Sequence, residues 1–258
     1  METADAAAAP IPLSLADVVA TSTRILRAQL APIATACAIG IFPIAFLDIL
    51  LGIAGVESTA PSNIASAIAN AWLCATITHL ALAGLLDRPM SFADAASLGK
   101  ASIGSVFGVS LLSGLLIVLG TVLFVVPGVI AWIATYVAIP ACVIERRSAG
   151  DSLARSNALT RGNWLSLAAV IIPITIVLAL PLVVIFAPIA AVIVLESEPL
   201  LIAFESPTSP LVLALSGATA LWQCVWMAFG TVAATVIFAR LTNTQPSIDA
   251  PAIADVFA

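Results

Sequence analysis

Residues 101–144 read ASIGSVFGVSLLSGLLIVLGTVLFVVPGVIAWIATYVAIPACVI, 44 consecutive positions without a charge. As a single helix this stretch would run about 66 Å at ~1.5 Å per residue, roughly twice the ~30 Å hydrocarbon core of a bilayer. It therefore has to fold back on itself. Pro127-Gly128 stands near its middle, where proline has no amide to donate and glycine accepts a tight turn. The stretch is read as two spans, at about 103–126 and 129–144.

Four more charge-free windows flank this one: Ala28–Leu47, Ser58–Leu86, Gly162–Leu195 and Ser206–Ala239. Each holds one span, at about 29–52, 64–86, 164–187 and 211–239. The whole chain of 258 residues is 62% hydrophobic and 9% charged, with mean hydropathy +1.17. A water-soluble domain carries about 25% charged residues, so that class is excluded. Four cysteines, 14 glycines and 16 prolines in so apolar a chain also exclude a disulfide scaffold and a collagen-like repeat. The expected fold class is an all-α integral membrane protein with six transmembrane helices.

The nine cations set the orientation. Arg24 and Arg27 precede the first span, and Arg88 and Lys100 lie between the second and third. Arg146, Arg147, Arg155 and Arg161 lie between the fourth and fifth, and Arg240 follows the sixth. The loops on the opposite side carry Glu57, Glu196, Glu198 and Glu205 and no cation. The positive-inside rule then places both termini in the cytoplasm and the chain in the inner cell membrane. Residues 1–13 are expected to be a flexible Ala-rich tail rather than a secretory signal, 14–240 the six-span domain, and 241–258 a flexible cytoplasmic tail.

Between Leu15 and Arg27 the pattern is amphipathic: Leu15, Val18, Val19, Ser22, Ile25 and Leu26 share one helical face, and Asp17, Arg24 and Arg27 occupy the other. Ser14 is placed to cap this helix, with Asp17 three residues on and Leu13 able to staple against Val18. The same opening recurs at Ser91-Phe-Ala-Asp94 and Ser148-Ala-Gly-Asp151, each ahead of a pair of spans, and sixteen residues after the three serines stand Leu30, Phe107 and Trp164. Three short amphipathic helices in the cytoplasmic interface are expected, and with them three repeated helix-plus-hairpin units.

From Leu119 to Trp164 the apolar run closes on Pro127-Gly128. A short apolar helix with Pro140 and then Glu145 follows, and after these come Asp151-Ser-Leu-Ala-Arg-Ser156 and Leu159-Thr-Arg-Gly-Asn-Trp164. This pattern resembles the glycerophosphoryl diester phosphodiesterase membrane domain family and related multi-span families, departing from it at Ala154, where a basic residue is usual, and at Asn157, where an aromatic is usual. The resemblance implies a membrane domain with no catalytic residues of its own.

The residue inventory points the same way. Metal-assisted hydrolysis needs convergent carboxylates and usually a histidine. The single histidine, His79, falls inside the second span and is read as a neutral imidazole bonded to a neighbouring helix. Cys37, Cys74, Cys142 and Cys224 fall one per span without a Cys-x-x-Cys, so they are read as inert thiols. No catalytic residue, metal site or cofactor is expected, and the chain is read as a non-enzyme.

Arg24, Arg27, Arg146, Arg147, Arg155 and Arg161 are the candidate contacts to anionic lipid headgroups. A membrane-protein partner or a second copy is the other partner class, and nucleic acid is not one. Asp48, Asn70, His79 and Gln223 are the candidate intramembrane polar groups. Counted along their helices, Asp48, Asn70 and Gln223 reach the outer side together, where they form a polar vestibule in the alternative reading, a small-solute or lipid transporter component. Gly104 and Gly108 are placed for close helix packing, and 188–210 is read as a re-entrant or interfacial element.

Overall fold

The computed structural model describes residues 13–55, 60–195 and 209–243. The tail ahead of Leu13, the acidic positions Glu57, Glu196, Glu198 and Glu205, most of the 188–210 element and the tail from Thr244 onward lie outside the described residues.

Every regular element among the described residues is an α-helix: α1 (Leu15–Ala28), α2 (Leu30–Ile53), α3 (Ala60–Leu85), α4 (Phe92–Ala101), α5 (Ile103–Leu123), α6 (Val125–Thr135), α7 (Ala138–Ile144), α8 (Ala149–Thr160), α9 (Trp164–Leu195) and α10 (Pro210–Asn243). Among the described residues, six helical segments are long and apolar enough to cross a membrane, namely Leu30–Ile53, Asn63–Leu85, Ile103–Leu123, Val125–Ile144, Trp164–Ala187 and Pro210–Thr242. They alternate in direction, so the charged starts of α2, α5 and α9 and the charged ends of α3, α7 and α10 meet at one basic end of the bundle.

The hairpin inside the 44-residue window turns earlier than the sequence reading placed it. Phe124, extended at φ −162°, ψ 153°, breaks the chain between α5 and α6, and Pro127 sits in the first turn of α6 rather than in the turn itself. The physical reason is that the first-turn amides of a helix have no intrahelical acceptor, so a proline there forfeits nothing. Gly128 serves close approach instead. A Cβ on it would lie 2.1 Å from Thr121 Oγ1 and 2.9 Å from Thr121 Cα, and one on Gly120 would lie 3.0 Å from Gly128 Cα. The second break in this segment, at Tyr136–Val137 between α6 and α7, falls four residues ahead of Pro140, whose ring excludes the carbonyl at that offset.

All three expected caps form. Ser14, Ser91 and Ser148 accept hydrogen bonds from the backbone N–H groups of Asp17, Asp94 and Asp151 at 3.4, 3.2 and 3.3 Å. The Ser91 and Ser148 hydroxyls also donate to Asp94 Oδ2 and Asp151 Oδ2, both at 2.6 Å. Each aspartate stands in the first turn, where the positive end of the helix dipole favours it.

The capped helices pack on the long helices of the bundle. Leu15 and Val19 border a recess with Val177 and Phe229, about 16–20 Å along α9 and α10 from their basic ends, while Ile25 packs on Gly84 near the end of α3. Trp72 of α3 donates its indole N–H to the Ala96 carbonyl of α4 at 3.2 Å and meets the Phe92 ring edge-on at 6.4 Å. Ser156 of α8 donates to the Ala134 carbonyl of α6 at 2.6 Å. Together α1, α2, α4, α5, α7 and α10 enclose the second half of α3, where every residue from Ala75 to Ala83 is buried.

Small residues permit that enclosure. A Cβ on Gly99 of α4 would lie 2.3 Å from Thr76 Oγ1 and 3.0 Å from the Thr76 backbone nitrogen. Of the pair expected to bring helices together, Gly108 does so, its Cβ position lying 3.1 Å from Ala149 Cβ, whereas Gly104 faces open space. Gly99→Val should therefore destabilise the fold by about 1–3 kcal/mol through overpacking, while Gly104→Ala should leave stability unchanged or slightly raised. Thermal unfolding of the detergent-solubilised chain, followed by tryptophan fluorescence, measures both.

Candidate functional site

Away from the basic end, α2, α3 and α10 separate around a cavity of about 440 Å³. Toward the basic end the same three helices close tightly. A Cβ on Gly40 would lie 3.4 Å from Leu73 Cδ2, the Cys37 thiol reaches the Cys224 carbonyl at 3.8 Å, and Thr231 reaches Cys74 Sγ at 4.0 Å. Small side chains on the facing surfaces, Ala45, Gly52 and Ala220 among them, leave the space above that seal unfilled.

The cavity brings together three of the four polar residues picked from the sequence. Asp48 comes from α2, Asn70 from α3 and Gln223 from α10. Asp48 lies eighteen residues into the chain from Leu30, about 27 Å along the helix. Ser66, Ser216 and Thr219 complete the polar lining, and the sequence reading missed them because hydroxyl side chains are common in apolar helices and bond to their own backbone. Thr219 does so here, donating to the Ser216 carbonyl at 2.9 Å. Among the described residues Asp48 is the only ionisable one on the lining, and no described cation shares it.

His79, the fourth candidate, lies elsewhere. It is nine residues nearer the basic end than Asn70, 4% exposed, and its Nδ1 is buried without a hydrogen-bond partner. The hydrogen bond to a neighbouring helix that the sequence reading assigned to it is not made at that nitrogen. Among the described residues, no group of three His, Cys, Asp or Glu side chains is gathered closely enough to hold a metal ion.

At the basic end Arg24, Arg27, Arg146, Arg147 and Arg161 are exposed. Arg155 departs from the role expected of it. It turns inward, its Nε donating to Glu145 Oε1 at 3.2 Å, with both side chains only 12% exposed and its Nη2 buried without a partner. Arg147 engages the other oxygen of the same carboxylate. Glu145 thus gathers two of the four clustered arginines, a role the sequence signalled only by one acid set among cations. Arg146 follows it at φ +50°, the left-handed conformation that ends α7 and that L residues other than Asn and Asp seldom adopt.

Comparison with known proteins gives one family. Residues 3–241 match the family described as Domain of unknown function (DUF7847), and the chain belongs to it. No curated protein and no solved structure matches it.

Removing one partner of a desolvated ion pair strands the other charge, which costs about 3–5 kcal/mol when fully buried. Because Glu145 keeps Arg147, Arg155→Gln should lose less, about 1–3 kcal/mol, and Arg161→Gln almost nothing. Unfolding midpoints in mild detergent separate the two; equal midpoints would show that the inward turn of Arg155 contributes no stability.

Proposed function

We propose that this member of the DUF7847 family is a six-span integral membrane protein of the inner cell membrane, with its basic end and both termini in the cytoplasm, acting without catalysis by packing with lipid. The observation that carries the reading is the apolar surface away from the basic end. Leu115, Val118, Leu119, Val122 and Leu123 of α5 and Val125 and Val126 of α6 are all more than half exposed, Val122 by 80%. In water such a surface would aggregate, and in hydrocarbon it has no such cost. The arginines gathered at the opposite end support the orientation, and the three capped helices preceding span pairs support a repeated helix-plus-hairpin build. A likeness of Leu119–Trp164 to phosphodiesterase membrane domains is part of the proposal, and it would go with a role beside lipid rather than in turnover.

The exposed faces of Arg24, Arg27, Arg146, Arg147 and Arg161 supply the headgroup contact. An arginine near an anionic membrane surface contributes about 1 kcal/mol. The variant with Arg146, Arg147 and Arg161 all changed to Gln should therefore retain phosphatidylglycerol at least tenfold less tightly in mild detergent, read by native mass spectrometry; undiminished retention would remove the role. Topology is tested separately. In a chain freed of its natural cysteines, Arg161→Cys should react with an impermeant maleimide from the cytoplasmic side only, and Ala54→Cys from the outside only.

A second reading, a small-solute or lipid permease component, is favoured by the convergence of Asp48, Asn70 and Gln223 on one cavity sealed toward the basic end. Its signature is saturable solute flux in proteoliposomes that Asp48→Asn abolishes.

A further inference from the structure

We infer that the cavity between α2, α3 and α10 is a binding site for the primary ammonium group of a small aliphatic amine, with Asp48 as counter-ion and Asn70 and Gln223 as hydrogen-bond acceptors. The inference deepens the permease reading of the same cavity, though it requires binding and not flux.

Charge selects the class. Asp48 is the one ionisable group among the described residues of the lining, without a described cation beside it, in a recess that mixes neutral polar groups with apolar ones. Asp48 is itself exposed, at the open side of the recess, and an unbalanced carboxylate at the mouth of a cleft concentrates cations there. An anion would meet repulsion and no compensating arginine or lysine, because the described basic side chains lie at the other end of the bundle.

A single carboxylate argues against a bare divalent metal ion. Protein sites for calcium and magnesium are built on carboxylates, and the described lining holds a single one, with no described group of three His, Cys, Asp or Glu side chains gathered to hold a metal ion. Ile41, Ile44, Ile49 and Val212 present apolar surface beside the polar groups, which suits a ligand carrying methylenes next to its charge.

The chemistry of the acceptors narrows the ammonium type. Quaternary ammonium ions are recognised by aromatic faces, and no aromatic side chain among the described residues lines this cavity. A primary ammonium instead offers three N–H donors. Here it finds the Asp48 carboxylate and the amide oxygens of Asn70 and Gln223, delivered from three different helices. Charge-assisted bonds of that kind are the strong ones. The amine can come from solution or from an aminophospholipid headgroup, and both present the same group.

The test is calorimetric titration of the full chain in phosphatidylglycerol nanodiscs with ethanolamine, choline and 1-propanol. Ethanolamine should bind saturably, with choline and 1-propanol at least tenfold weaker. Asp48→Asn should lose at least tenfold in ethanolamine affinity at an unchanged unfolding midpoint, Asp48→Glu should recover part of it, and Asn70→Ala and Gln223→Ala should each lose less. Nanodiscs containing phosphatidylethanolamine then name the source: competition with ethanolamine identifies the headgroup, and its absence identifies the soluble amine, the ammonium site standing in both cases. Absence of ethanolamine binding, equal binding of choline or 1-propanol, or undiminished binding by Asp48→Asn overturns the site. Retained binding without flux would remove the permease reading alone.

Discussion

The second half of α3 has no face toward the outside, and the rest of the molecule is arranged by that fact. A helix buried all round must be apolar or internally satisfied, and must present surfaces that its neighbours can approach closely. Thr76 and Thr78 meet the first requirement by donating to the carbonyls of Trp72 and Cys74, four residues back. Gly84 within α3, and Gly99 on α4, meet the second. The short helices α1 and α4 cover flanks of α3 that the long helices leave open, and α8 packs on α5, α6 and α7. That is why apolar and small residues fill their inner faces while Arg24, Arg27 and Lys100 point away.

Much of this was legible in the sequence because charge is so sparse. Where a chain holds one charged residue in eleven, each charged cluster marks a helix end, and the observed long helices start and stop within a few residues of the expected boundaries over most of their ends. The Ser-x-x-Asp caps were legible for a different reason: a cap is a local bond between a side chain and the backbone three residues on, independent of tertiary context. The hairpin turn was misplaced by several residues because Pro127-Gly128 satisfies two descriptions. It fits a turn and equally a helix start packed against a partner, and only the approach of Gly120 to Gly128 decides between them.

The cavity was half legible. Counting along helices placed Asp48, Asn70 and Gln223 at a common depth, since rise per residue is fixed. It could not supply rotation, which determines whether residues at one depth face one another, nor could it single out Ser66, Ser216 and Thr219 from the other hydroxyls of the spans. The inward turn of Arg155 was illegible because its partner, Glu145, is ten residues away across a loop and a cap. The partners of α1, chiefly α10 and α3, are hidden in the sequence for a similar reason. Amphipathicity names a buried face without naming what buries it.

The length of α9 carries a consequence of its own. The helix runs 32 residues from Trp164 to Leu195, about 48 Å, and Leu165–Leu195 contains no charge to anchor it at either surface of a core about 30 Å thick. Hydrophobic mismatch on that scale exceeds what ordinary tilt absorbs. Pro173 and Pro181 supply the remedy by freeing the carbonyls of Ala169 and Val177 from their helical bonds, so the rod can bend where it lies. On the proposed placement, this segment is the part of the protein most responsive to bilayer thickness, and membranes richer in long, ordered chains would hold it straighter than thin ones.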